Sequence, residues 1–232
     1  MICSIHQPQS FPWLGFFAKI MASDVFIFLD NVQYKKNEFQ NRNKIKYNNE
    51  AHWLTIPVKY HFGQKINEIE INTAVRWQKK LLNSLQTYYA KSPWFQQYFP
   101  DLTRLVNQDY HHLCNFNIAF IRWVLDLLSI KTQILVSSHI FPSEKLEQLP
   151  RSEKLMELAE SVGATVYLSG QGGKEYLDDE IFIKNRITIR YQDFDHPQYF
   201  QSGEIFVSHL SILDLLFNEG EKSTEIIQRG IK

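Results

Sequence analysis

The first thirty residues run from a short apolar segment, ICSI at 2–5, through WLGFFAKIMA at 13–22, into a second apolar segment, DVFIFLD at 24–30. Two apolar runs separated by one helix-length segment are the pattern of a βαβ unit, because parallel strands need a crossover of a dozen or more residues. A chain that opens this way calls for a parallel sheet with helices laid on its faces. Pro12 stands at the start of the expected helix, where its missing N–H is not needed.

The pattern returns later in the chain. HWLTIPV (52–58), QILVSS (133–138), TVYLSG (165–170) and ITIRYQDF (187–194) read as further strands. SEKLMELAESVG (152–163) reads as an amphipathic helix stopped by Gly163, and LSILDLLFNEG (210–220) as another. From Trp77 to Leu128 apolar residues recur every three or four positions, with breaks at Ser92-Pro93 and near Asn107 and Asp109. The expected fold is therefore α/β: a Rossmann-like parallel-sheet core in one domain, 1–232, carrying a helical insertion at 77–130.

Lys plus Arg and Asp plus Glu number 25 each, so no net field draws the chain to nucleic acid or an anionic membrane. An anionic ligand has to be held locally. Cys3 and Cys114 sit among apolar residues without metal-ligand spacing, and no metal site is expected. No stretch approaches the ~18–20 apolar residues of a membrane span, which makes a cytoplasmic location the expectation. The 17 Phe, 11 Tyr and 5 Trp are expected to lie mostly in the core.

In parallel α/β sheets ligands bind beyond the carboxyl ends of the strands. His6 and Gln7 follow the first strand, Asp30 and Gln33 the second, Ser169 and the glycines 170, 172 and 173 a later one, and Asp195 and His196 the last. An imidazole at such a position is a candidate acid, base or phosphate donor. The segment KKNEFQNRNKIK (35–46) supplies Lys35 and Arg42 for phosphate or carboxylate, with the amides of Asn41 and Asn43 beside them. Asp195 next to His196 raises a His-Asp dyad.

HQPQSFPWLGFFAKI (6–20), SDVFIFLDNVQYKKNEFQNRNKIK (23–46), WLTIPV (53–58), YLSGQGGKEYLD (167–178), FDHPQYFQ (194–201) and FVSHLSILDLLFNEG (206–220) together resemble the WbqC-like protein family. The departures are Gln9-Ser10-Phe11, where the family favours an aromatic followed by leucine, and Ser23, where alanine is usual. The resemblance implies a bacterial enzyme of O-antigen, lipopolysaccharide or other surface-polysaccharide synthesis, passing an acyl or aminoacyl (glycyl) group to a nucleotide-linked amino sugar. Its motif positions here are His6 and His196, expected to be catalytic, and Gln7, Lys19, Asp30, Gln33, Lys35, Asn41, Arg42, Asn43, Ser169, Gly170, Gly173, Tyr176, Tyr199 and Gln201, expected to bind substrate. Trp13, Gly15, Ser211 and Asp214 belong to the same motifs. The cofactor is left open between a nucleotide such as ATP and an acyl or aminoacyl donor, as is the oligomeric state.

The layout of strand, histidine and helix is also similar to that of nucleotidylyltransferases, although the second histidine of their HxGH element is missing here. Adenylyl or nucleotidylyl transfer is therefore the first alternative. A non-catalytic partner of a polysaccharide enzyme is the second, and it predicts an exposed apolar patch beside the polar loops and no pocket joining residues 160 or more positions apart.

Overall fold

This computed structural model describes residues 1–141 and 143–232. The opening unit is β1 (Ile2–His6), α1 (Leu14–Met21) and β2 (Val25–Phe28). Two antiparallel hairpins follow, β3 (Arg42–Tyr47) with β4 (Glu50–Thr55) and β5 (Val58–Lys59) with β6 (Glu70–Ile71). Helices α2 (Trp77–Tyr89), α3 (Phe95–Val106) and α4 (Leu113–Leu127) precede β7 (Gln133–Val136). Next come α5 (Ser137–Ile140), α6 (Ser143–Gln148), α7 (Arg151–Ser161), β8 (Val166–Ser169), α8 (Asp179–Lys184) and β9 (Thr188–Tyr191). Helices α9 (Ile212–Glu219) and α10 (Ser223–Arg229) follow β9.

Five strands form one parallel sheet in the order β7-β2-β1-β8-β9, which is the Rossmann-like core expected from the opening unit. Strand β2, VFIF, is buried on both faces. Its period-2 alternation sends Phe26 and Phe28 into a core shared with α1, α2, α3, α4 and α9, and Val25 and Ile27 into a second core shared with α7 and α8. Burying each such Phe contributes ~1.5–3 kcal/mol, and Phe26 meets Phe16 and Phe28 edge to face at 5.5 and 5.2 Å. Gly163 follows α7 at φ +72°, the left-handed position that ends a helix without a Cβ penalty.

The excursion between β2 and β7 is longer than the helical block at 77–130, since both hairpins belong to it. The segment 35–46 runs into a strand, β3 over Arg42–Tyr47. Asn43 and Ile45 point inward in alternation, and Asn48 and Asn49 turn the chain with φ of 49° and 64°, the left-handed pair that a two-residue hairpin requires. A 3-10 turn spans Gln171–Glu175, and α8 starts only after Asp178, whose carboxylate accepts the Glu180 N–H at 3.0 Å.

Candidate functional site

From β1 the sheet grows in both directions, with β2 and β7 on one side and β8 and β9 on the other. The loops leaving β1 and β8 diverge at their carboxyl ends, where doubly wound sheets open a crevice. A cleft of about 480 Å³ lies there. His6 and Gln7 enter it from the end of β1, Gln33 and Lys35 from the segment after β2, Arg151 and Lys154 from the first turn of α7. Tyr167 on β8 and Tyr176 beyond it close the far side.

The His6 ring lies edge to face against Phe16, centroids 5.1 Å apart. Its Nδ1 is 2.9 Å from the Gln7 carbonyl oxygen. A carbonyl only accepts, so Nδ1 carries the proton and Nε2 is left as an acceptor. Burial first, and the Lys19 charge second, push the pKa down to about 3 against the opposing bond to Gln7. His6 is thus a neutral imidazole across the physiological range.

A relay of amides fixes the neighbouring wall. The Lys35 N–H donates to Gln40 Oε1 at 3.2 Å, and Gln40 Nε2 donates to Gln7 Oε1 at 2.6 Å. The Gln40 carbonyl is itself held by the Asn117 amide at 2.8 Å. Gln7 is oriented with its oxygen toward Gln40, leaving its NH2 as the donor at the cleft. Opposite, the Arg151 guanidinium lies 3.2 Å from the centroid of the Tyr176 ring, a cation–π contact that sets the guanidinium plane beside the opening.

Residues 7–226 match the WbqC-like protein family. The chain belongs to the WbqC-like family. An uncharacterized protein of Mycobacterium tuberculosis (strain ATCC 25618 / H37Rv), Rv1507c, is 30% identical over 229 residues, which span 97% of this chain and 96% of that protein. No solved structure matches the chain.

The WbqC-like motif residues divide between the cleft and places away from it. His6, Gln7, Gln33, Lys35 and Tyr176 line the cleft. Lys19 lies beneath it, 3% exposed, with Nζ donating to the Ile5 carbonyl at 3.2 Å. Burial lowers its pKa to about 7, opposed by Cys3. Asp30 opens instead on a second hollow of about 670 Å³ beyond β2 and β7. Its Oδ1 accepts from Ser137 Oγ and the Ser138 N–H at 2.8 and 3.0 Å, and its Oδ2 from Ser138 Oγ at 2.6 Å.

Asn41 and Asn43 spend their amides on the hairpin's own anchorage. Asn41 Nδ2 donates to the Ile56 carbonyl at 3.0 Å and Asn43 Nδ2 to the Phe11 carbonyl at 2.8 Å. Arg42 donates to the Asn37 carbonyl and lies over the Trp53 ring. Ser169 and Gly170 sit at the end of β8, and Gly173 leaves room for the Ser169 hydroxyl, which a Cβ there would meet at 2.1 Å.

His196 does not line the cleft but is stacked on Trp13 at 6.2 Å and 9° beside His209. Both ring nitrogens are engaged, Nδ1 with the Pro197 carbonyl at 3.0 Å and Nε2 accepting the His209 N–H at 3.1 Å. The dyad with Asp195 does not form, because that carboxylate pairs with Lys232 Nζ at 2.5 Å. Tyr199 and Gln201 both donate to Asp214 Oδ2 at 2.8 Å, in a buried network.

Gln40, Arg151, Lys154 and Tyr167 also line the cleft of this WbqC-like chain, as do Glu38 and Phe39, and position after a strand singles out none of them. Arg151 and Lys154 fall in the first turn of α7 with Glu153 between them, a placement that no strand end announces. Among the described residues, no helix is long and apolar enough to cross a membrane.

Proposed function

We propose that this chain is a cytoplasmic transferase of O-antigen, lipopolysaccharide or related surface-polysaccharide synthesis, moving an acyl or aminoacyl (glycyl) group onto the amine of a nucleotide-linked sugar. The observation that supports it is the single cleft that joins His6 and Gln7 to Tyr167 and Tyr176, residues some 160 positions apart in sequence. A non-catalytic scaffold has no need of such a cleft. Lys35, Arg151 and Lys154 provide cationic donors for the diphosphate, and the amides of Gln7 and Gln33 suit sugar hydroxyls.

In the transfer the sugar amine attacks the donor's carbonyl carbon, a C–N bond forms, and the bond from that carbon to the donor's leaving group breaks. His6 Nε2 accepts the hydrogen bond of the amine and takes its proton as the nitrogen becomes cationic, then returns it to the leaving group. The imidazole is neutral, so its Nε2 lone pair is open to that proton. Electrostatic support from Lys35 and Arg151 acts in a partly desolvated site, where it is stronger than in water.

The test is a thermal-shift panel of UDP- and dTDP-amino sugars, ATP and acyl-CoAs, followed by transfer assays on the ligands that bind. At about 100 times its dissociation constant a ligand stabilises the fold by roughly 2.7 kcal/mol. His6→Ala is expected to keep the ligand shift and lower the transfer rate by about 100- to 10,000-fold. A normal rate removes His6 from the chemistry. Magnesium-dependent pyrophosphate release from ATP selects nucleotidylyl transfer instead, and silence across the panel selects the scaffold.

A further inference from the structure

Trp53 on β4 and Phe39 in the segment before β3 form an exposed aromatic pair beside the cleft. Trp53 is 46% and Phe39 41% exposed, with ring centroids 6.1 Å apart and planes inclined at 45°. Large rings are usually covered, yet here two adjoin on one surface. Phe39 also lines the cleft, so the pair is continuous with it.

Positive charge accompanies the rings. The Arg42 guanidinium carbon lies 4.1 Å from the Trp53 centroid, and Lys44 Nζ 5.2 Å from it. Register explains the arrangement: Lys44 is paired directly across the hairpin with Trp53, and Arg42, two residues back, projects on the same side. Arg42 is also tied to the Asn37 carbonyl, while its buried Nε has no partner. The guanidinium therefore lies against the indole, with its charge held beside the ring.

Resting on the reading of a nucleotide-linked substrate, we propose that Trp53 and Phe39, backed by Arg42 and Lys44, form the platform on which the nucleobase of that nucleoside-diphosphate ligand stacks. The phosphates then run toward Lys35 and Arg151, and the sugar lies against His6 and Gln7. Aromatic faces accept any base, and neighbouring cations suit the adjoining phosphate charge. Carbohydrate alone gives no reason for the cations, and phosphate alone gives none for the rings. The same chemistry exists in single-stranded nucleic acid, but the chain's charges balance at 25 each, and a generic polyanion binder carries a basic excess.

The experiment titrates UDP, dTDP, inorganic pyrophosphate and a single-stranded thymidylate octamer into the full chain. Affinity is read by calorimetry and stacking by tryptophan fluorescence, for wild type, Trp53→Ala and Trp53→Phe. Circular dichroism establishes that both variants are folded. UDP or dTDP is expected to quench wild-type fluorescence, and Trp53→Ala to weaken its binding by roughly 5- to 150-fold, the range for removing one base-stacking ring. Trp53→Phe should restore most of the affinity without the quench, and pyrophosphate binding should be the same in all three proteins.

Nucleoside diphosphate affinity unchanged in Trp53→Ala overturns the platform and leaves the nucleotide-linked reading standing. Absence of UDP and dTDP binding to the wild type overturns both. An octamer that binds far more tightly than dTDP, through Trp53, overturns the small-ligand assignment in favour of nucleic acid.

Discussion

The Tyr89 hydroxyl on α2 donates to Asp214 Oδ1 on α9 at 2.8 Å. The same phenol oxygen accepts the Lys46 N–H of β3 at 2.9 Å, so one tyrosine joins the helical excursion, the hairpin and the last part of the chain. Asp214 also receives Tyr199 and Gln201. Its position in a family motif thus has an architectural explanation.

Asp214→Ala takes the acceptor from three buried donors at once, of which only Gln201 Nε2 keeps a second bond, to the Val207 carbonyl. An unsatisfied buried donor costs ~1–3 kcal/mol, and loss of a partner from a buried charged network costs about 3–5 kcal/mol. Chemical denaturation is expected to show a loss of that order, whereas Tyr199→Phe, which removes one donor, should lose about 1.5–3 kcal/mol. Equal and small losses in both variants would mean that the network does not anchor the hairpin.

Gly15 is expected to resist alanine although it lies inside α1, where alanine is favoured by ~1 kcal/mol. A Cβ there would stand 2.3 Å from atoms of the Trp13 ring. That ring is in turn stacked on His209 at 5.1 Å. Gly15→Ala should therefore cost about 1–3 kcal/mol through overcrowding. In a Trp13→Ala background the same substitution should cost little, and a double-mutant cycle in thermal melts measures the coupling.

Arg151→Ala tests the cationic wall. Arg151 is exposed and stacked on Tyr176, so stability should change by less than about 0.5 kcal/mol. Affinity for a UDP-sugar should fall roughly 10- to 100-fold, as expected for a charge-assisted bond to phosphate, and its salt dependence should weaken. Tyr176→Phe keeps the ring under the guanidinium and should bind normally. Calorimetry at two ionic strengths distinguishes these outcomes.

The parallel core was readable in the sequence because buried strands such as VFIF are continuous apolar runs, which no turn residue interrupts. His6, Gln7, Gln33 and Lys35 were readable for a related reason, since the carboxyl end of a parallel strand faces the crevice. Strand β3 was not. Of its three buried positions only Ile45 is a hydrophobe, the others being Asn43 and Lys46, whose bonds to the Phe11 and Ile205 carbonyls depend on loops distant in sequence. The same limit applies to Arg151 and Lys154, which a helix brings to the cleft from its own first turn. His196 follows a strand as His6 does, but the chain then turns it into the Trp13 stack.

Lys19 gives the protein a distinctive response to pH. Its amine has a pKa of about 7 in the fold against an ordinary 10.5, with burial as the main cause. Between these values the unfolded chain binds more protons than the native one, so stability rises with pH from about 7 toward 10.5. The corresponding His6 difference, 6.5 against about 3, makes stability rise with pH through that lower window as well. Lys19→Met keeps the apolar stem and removes the amine. It is expected to flatten the upper rise and to stabilise the fold at pH 7 and below, by up to about 4 kcal/mol. Because the Lys19 charge also lowers the His6 pKa, the His6 imidazole should titrate at a higher pH in this variant, as followed by NMR. Urea melts from pH 6 to 10 with unchanged slope in Lys19→Met would show that Lys19 does not carry the upper linkage.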